Sequence, residues 1–173
     1  MTAPVFELTR HFAAPVEVVF DHWTDSQLLR AWWGNGMQLG ACEVELAPGG
    51  HFFYSMFMPN PTGGDEVEFF GKWDYSVVEA PDRLEFENYF SNAKREVTHH
   101  FAARHWPAKV HNSVTFLANG IGCDMTMRSW PSEGRPEDFQ AFYDGFDGMR
   151  EGFDGVFVSL DEQLKHYLAS PNG

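Results

Sequence analysis

Between residues 5 and 130 the apolar positions follow one another in short strand-like runs, and after Pro136 they recur at helical spacing. Val5–Phe12 reads as a first strand. Pro15 stands where a helix can start, since its missing N–H costs nothing in a first turn, and residues 16–23 are expected as a short helix. Thr24 or Asp25 caps a second helix through Leu28, Leu29, Trp32 and Trp33, which Gly34 and Gly36 end. Strand signals follow at residues 42–46, 51–58, 66–78, 84–90, 110–117 and 121–130. Turn residues separate them: Pro48-Gly49-Gly50, the 60–65 segment with Pro61, Gly63 and Gly64, Pro81-Asp82-Arg83, and Asn119-Gly120. Successive hairpins imply an antiparallel sheet, because parallel strands need long crossovers.

The last segment differs. Phe139, Phe142, Tyr143, Phe146, Met149, Phe153, Phe157, Leu160, Leu164 and Leu168 mark one long amphipathic helix whose apolar stripe must lie on the sheet. The expected architecture is therefore α+β: a curved antiparallel sheet of six or seven strands wrapped around a long C-terminal helix, with two short helices after the first strand. The whole chain, 1–173, reads as one domain. Two details go beyond a plain core. The strand His51–Met58 is apolar on both alternations, so each of its faces is covered, or one of them meets a pocket or a partner. Gly145, Gly148, Gly152 and Gly155 form a stripe beside the phenylalanines. That stripe marks a close approach by a strand, a second subunit or a ligand, or else a break near 145–148.

Composition narrows the partners. The 173 residues are 43% hydrophobic and 16% aromatic, with 17 phenylalanines, which favours a packed core with room for an apolar pocket. The net charge of −13 argues against nucleic acid and against an anionic membrane surface. No run approaches the ~20 apolar residues of a membrane span, and residues 1–7 lack a signal pattern, so a cytosolic protein is expected. Cys42 and Cys123 make no disulfide framework and read as buried thiols. His99, His100, His105 and His111 fall close together, yet the spacing is looser than zinc motifs use and no cysteine is near, so neither metal nor cofactor is expected. Nucleotide, zinc-protease and serine-hydrolase motifs are absent.

Several phrases, in order, resemble the Hsp90-ATPase-activator-like family of the START/Bet v 1-like (SRPBCC) superfamily. They are Arg10-His11-Phe12-Ala13-Ala14-Pro15 with Val18-Val19-Phe20 and Trp23-Thr24-Asp25; Leu28-Leu29 with Trp32-Trp33-Gly34; Pro48-Gly49-Gly50 before an aromatic strand; Phe70-Gly71 through Val77-Val78 to Pro81 and Arg83-Leu84; Trp106-Pro107; Val114-Thr115-Phe116; and Phe142, Gly145-Phe146, Met149, Gly152-Phe153, Leu160, Leu164 and Tyr167-Leu168. Phe153 stands where the family often has Trp, and Gly122-Cys123-Asp124 where it often has Thr. The resemblance implies a helix-grip fold and a cavity for an apolar molecule between sheet and helix.

Candidate cavity residues are Trp32 and Trp33 at one lip, Phe53, Phe70, Trp73, Phe86 and Tyr89 from strands, and Phe142, Tyr143 and Phe146 from the long helix. Asn88, Asn112 and Arg128 are the polar groups that could orient a ligand. Strand parity leaves open which face is inward. Three functions compete: binding of a small apolar or aromatic molecule, an enzyme of cyclase, dehydratase or hydrolase type on the same fold, and a protein-interaction role such as chaperone contact. A homodimer is compatible with each.

Overall fold

The computed structural model describes residues 2–100 and 103–170. The elements are β1 (Phe6–Phe12), α1 (Val16–Thr24), α2 (Ser26–Trp32), β2 (Leu39–Glu45), β3 (His51–Met58), β4 (Val67–Glu79), β5 (Arg83–Ser91), β6 (Lys109–Asn119), β7 (Gly122–Glu133), α3 (Pro136–Asp144) and α4 (Phe146–Ala169). The strands form one curved antiparallel sheet in the order β1-β7-β6-β5-β4-β3-β2. Each strand from β2 to β7 lies beside its neighbour in the chain, as serial hairpins demand, and β1 pairs across the whole chain with β7. This is the expected helix-grip arrangement.

Local chemistry sets the helices. Asp25 is the N-cap of α2, its Oδ1 accepting from the backbone N–H of Gln27 (2.8 Å) and Leu28 (3.1 Å). At the start of α3, Arg135 donates to Asp138 from its backbone N–H and its guanidinium, which holds the Asp138 carboxyl down at about 2. The expected single C-terminal helix is two. Gly145, with φ −86° and ψ 1°, ends α3 by sharing its N–H between the carbonyls of Ala141 and Phe142, and α4 restarts when Met149 N–H bonds Gly145 O. The break expected near 145–148 falls at the first of these glycines.

The inner sheet face carries Phe6, Leu8, Phe12, Phe52, Tyr54, Met56, Trp73, Tyr75, Leu84, Phe86, Val114, Phe116, Met125 and Met127, all buried. At its centre Trp73 stacks on Phe86 at 4.2 Å and 12°, and stands edge-on to Phe52 (4.8 Å) and Trp33 (4.9 Å). Trp23 of α1 meets Trp73 at 6.0 Å and Phe157 of α4 at 6.0 Å, so one aromatic cluster joins sheet, short helices and long helix. The helix α4 closes on the sheet unevenly. Its second half seats Phe157, Leu160 and Leu164 fully in the core, while Met149, Phe153 and Val156 of its first half are only partly buried.

The two apolar faces of β3 are both covered. Phe52, Tyr54 and Met56 enter the core, and on the outer face Phe53 stacks on Phe70 at 5.8 Å with the Arg95 guanidinium 4.6 Å above its ring. Arg95 is held there by His51 and Glu43.

His22 is wholly buried, donating from Nδ1 to Val18 O at 2.7 Å and standing edge-on to Tyr167 at 5.0 Å. Desolvation lowers its pKa, against the opposing pull of Val18 O, Asp21 and Asp25. The unfolded chain therefore takes up a proton near pH 6.5 that the folded chain resists. The stability contribution is complete above about pH 6.5 and is lost as pH falls below it. Urea unfolding between pH 8 and pH 5 should show that decline, and His22→Phe should flatten it; an unchanged slope would remove His22 as its cause.

Candidate functional site

Where α4 stands off the sheet, a cleft and a groove lie on either side of Trp33 and Phe153. The cleft, about 220 Å³, is walled by Trp33, Tyr54, Asn88, Tyr89, Phe90, Trp106 and Phe153. The groove, about 390 Å³ and more open, runs between the segment after α2 and the face of α4. It is lined by Trp33, Gly34, Asn35, Met37, Met56, Met149, Gly152, Phe153 and Val156. Both walls are dominated by carbon, and methionine supplies soft surface that accepts aromatic shapes.

The glycine stripe now has a geometric account. A Cβ at Gly148 or Gly152 would meet nothing within 4 Å, and both positions are exposed. At Gly155 it would come 3.1 Å from Asn35 Nδ2, and at Gly145 3.7 Å from the Trp106 ring. Among the described residues no strand covers the middle of the stripe, and at Gly152 the bare backbone of α4 borders the groove.

Of the candidates read from sequence, Trp33, Asn88 and Tyr89 line the cleft, the Tyr89 hydroxyl donating to Asp74 at 2.8 Å. Trp32, Trp73, Phe86 and Phe142 are filled core, 2% exposed or less, and Trp32 Nε1 donates to His22 O at 2.8 Å. Asn112 is also core, its amide consumed by Val110 O (3.0 Å) and by the Ser129 hydroxyl (2.6 Å). Phe146 packs edge-on against Phe6 at 5.5 Å. Three candidates need correction because the strand alternation turns them to the outer face. Phe53 and Phe70 stack there together, and Arg128 pairs with Glu7 at 3.2 Å. Tyr143 borders a separate shallow depression beside Arg128 and Trp130. The sequence reading missed Tyr54, Phe90, Trp106 and Phe153 as wall residues. Tyr54 had one signal: its cross-strand partner is Gly71, and a Cβ there would fall 2.3 Å from the Tyr54 ring.

The family model described as "Activator of Hsp90 ATPase homolog 1-like protein" matches residues 13–167, nearly the whole chain. The chain belongs to this family. The fold is shared with solved structures: protein Ms6760 from Mycobacterium smegmatis (22% identity, TM-score 0.71, covering 98% of this chain and 92% of that one) and a solution structure from Staphylococcus epidermidis (23%, 0.74, 98% and 94%). A third, from Arthrobacter aurescens, is 25% identical with a TM-score of 0.73, covering 95% and 87%. No curated protein matches.

In this member of the Hsp90-ATPase-activator-like family no thiol or imidazole of the described residues lines the cleft, though His100 packs behind its wall residue Phe90. Burial raises the Cys42 thiol and pushes Cys123 up to about 11, which keeps both as thiols rather than nucleophiles. The histidines diverge: His111 bonds Glu87 at 2.8 Å, His105 faces Asp138 at 3.7 Å, and His100 sits against the Phe69 and Phe90 rings. Among the described residues no group of three or more His, Cys, Asp or Glu could hold a metal ion. No described helix is long and apolar enough to cross a membrane.

Proposed function

We propose that the protein binds a small apolar molecule in the cleft and groove that flank Trp33 and Phe153. The observation that carries this reading is the uneven seating of α4. From Phe157 on it buries Phe157, Leu160 and Leu164 in the core, and its first turns leave two adjoining carbon-walled spaces. Family membership supports the same use. The described residues that line the cleft include no carboxylate, imidazole or thiol, which weighs for binding over proton-transfer chemistry. Exposed large apolar side chains are spread along the chain: Met37 and Leu46 flank β2, Val97 follows β5, Leu117 and Ile121 stand at the β6–β7 hairpin, and Val158 and Leu168 on α4. That distribution gives the chaperone-contact reading less support.

The test is thermal unfolding with a panel of hydrophobic small molecules, alongside native mass spectrometry and organic extraction of purified protein. A ligand at a hundred times its Kd should stabilise by about 2.7 kcal/mol, raising Tm by roughly 5–10 °C. Gly152→Leu, which fills the groove, should abolish the shift for ligands that span it. A panel without any saturable shift, on protein of clean apo mass, would move weight to the interaction role.

A further inference from the structure

The hydrogen-bonding capacity left open inside the cleft indicates what kind of molecule it takes; this rests on the cleft being the binding site proposed above. Tyr54 is 7% exposed and borders the cleft, yet its hydroxyl makes no well-formed hydrogen bond to any described residue. The Trp33 indole N–H lies close to it without reaching good geometry, and Trp33 Nε1 is itself unpaired. The Asn88 carboxamide, on the same wall, also has no partner among the described side chains and backbone groups. The hydroxyl and the half-buried amide therefore keep hydrogen-bonding capacity on the wall of the cleft, and the Trp33 Nε1–H beside them is fully buried without a partner, which a bound oxygen would supply.

The hydroxyl is also held in place. The Tyr54 ring lies over Gly71, where any side chain would collide with it, and stacks on Phe52 at 4.9 Å and 28°. Burial pushes its ionisation up to about 12, so it stays an O–H at neutral pH, able to donate and to accept. A carbon-lined cavity of about 150 Å³ takes up benzene, and the cleft's 220 Å³ therefore suits a single ring with substituents. No Lys, Arg or His lines it. A carboxylate entering it would be desolvated without a counter-charge, in a chain already at −13.

We propose that the cleft selects a neutral aromatic molecule bearing one hydroxyl or carbonyl oxygen, which pairs with the Tyr54 hydroxyl and the Asn88 amide while its ring lies among Trp33, Trp106 and Phe153. Acids of the same shape are rejected.

The probes are p-cresol, toluene and p-toluate, titrated into the full chain and followed by chemical-shift perturbation and tryptophan fluorescence. In a wholly apolar cavity the added hydroxyl costs affinity. Here p-cresol should bind at least as tightly as toluene, and p-toluate at least about tenfold more weakly than either. Tyr54→Phe should weaken p-cresol about three- to tenfold and leave toluene unchanged. Asn88→Ala, a second variant that does not touch the Tyr54 packing, should act in the same direction. Circular dichroism checks that each variant is folded. If toluene binds more tightly than p-cresol, or if neither variant separates the two, the oxygen-recognition inference is overturned while the binding reading stands. Equal binding of p-toluate overturns the selection against acids. If none of the three probes perturbs the protein, the cleft reading falls and this inference falls with it.

Discussion

Trp73→Ala will destabilise the protein by about 3–5 kcal/mol, a large part of the 5–15 kcal/mol that holds a typical domain together. Trp73 is 1% exposed and sits where five parts of the chain meet: its own strand, Phe86 of β5, Phe52 of β3, Trp23 of α1 and Trp33 of the segment after α2. Alanine would leave a cavity whose walls are rings locked by one another, so little collapse can recover the loss. Trp73→Phe should cost less than half as much. It keeps the stacked ring on Phe86 and removes an indole N–H that has no partner. Urea unfolding of both variants decides it. A loss below about 1 kcal/mol for the alanine variant would show that the aromatic cluster is not the centre of the fold.

The second large effect runs the other way. Gly148→Ala with Gly152→Ala should stabilise the protein by about 1–2 kcal/mol in all, because each glycine in a helix interior costs about 0.5–1 kcal/mol against alanine. The new methyl groups meet nothing within 4 Å, so no packing loss offsets that gain. Gly155→Ala is the internal control. There the methyl would press on the Asn35 side chain, which accepts from the Ser159 hydroxyl at 3.0 Å, and the gain should shrink or vanish. Gly152 lines the groove, and on the binding reading proposed above its bare backbone exchanges stability for access there. If the double variant is less stable than the parent, that interpretation is wrong and something covers the stripe in solution.

The fold was legible because its signals are local. Turn residues bound each strand, and the boundaries of His51–Met58 agree with the sequence reading to the residue. The cap at Asp25 and the phenylalanine stripe after Pro136 are equally local. The cleft was much less legible. Strands 51–58, 67–79 and 83–91 carry large side chains on both faces, so alternation alone could not say which face meets α4. Phe53 and Tyr54 look alike as candidates, and only the register with β4 sends one outward under Arg95 and the other over Gly71. The break at Gly145 depends on one residue's dihedral angles within a pattern that reads as continuous helix. Phe153, Trp106 and Phe90 become neighbours only through tertiary packing that no spacing along the chain encodes.

The pairing of β1 with β7 has a temporal consequence. Thr9 bonds Thr126 across 117 positions, whereas every other strand pair joins neighbours in the chain. During synthesis the first strand emerges early and then waits for the last one before it gains a sheet partner. Meanwhile β2 to β7 can zip hairpin by hairpin, each closing a short loop. Until β7 is made, the apolar side of β1 and the buried faces of α1 and α2 have no complete surface to rest on. That interval, more than any feature of the finished molecule, is when this chain is most exposed to aggregation and to the chaperones that prevent it.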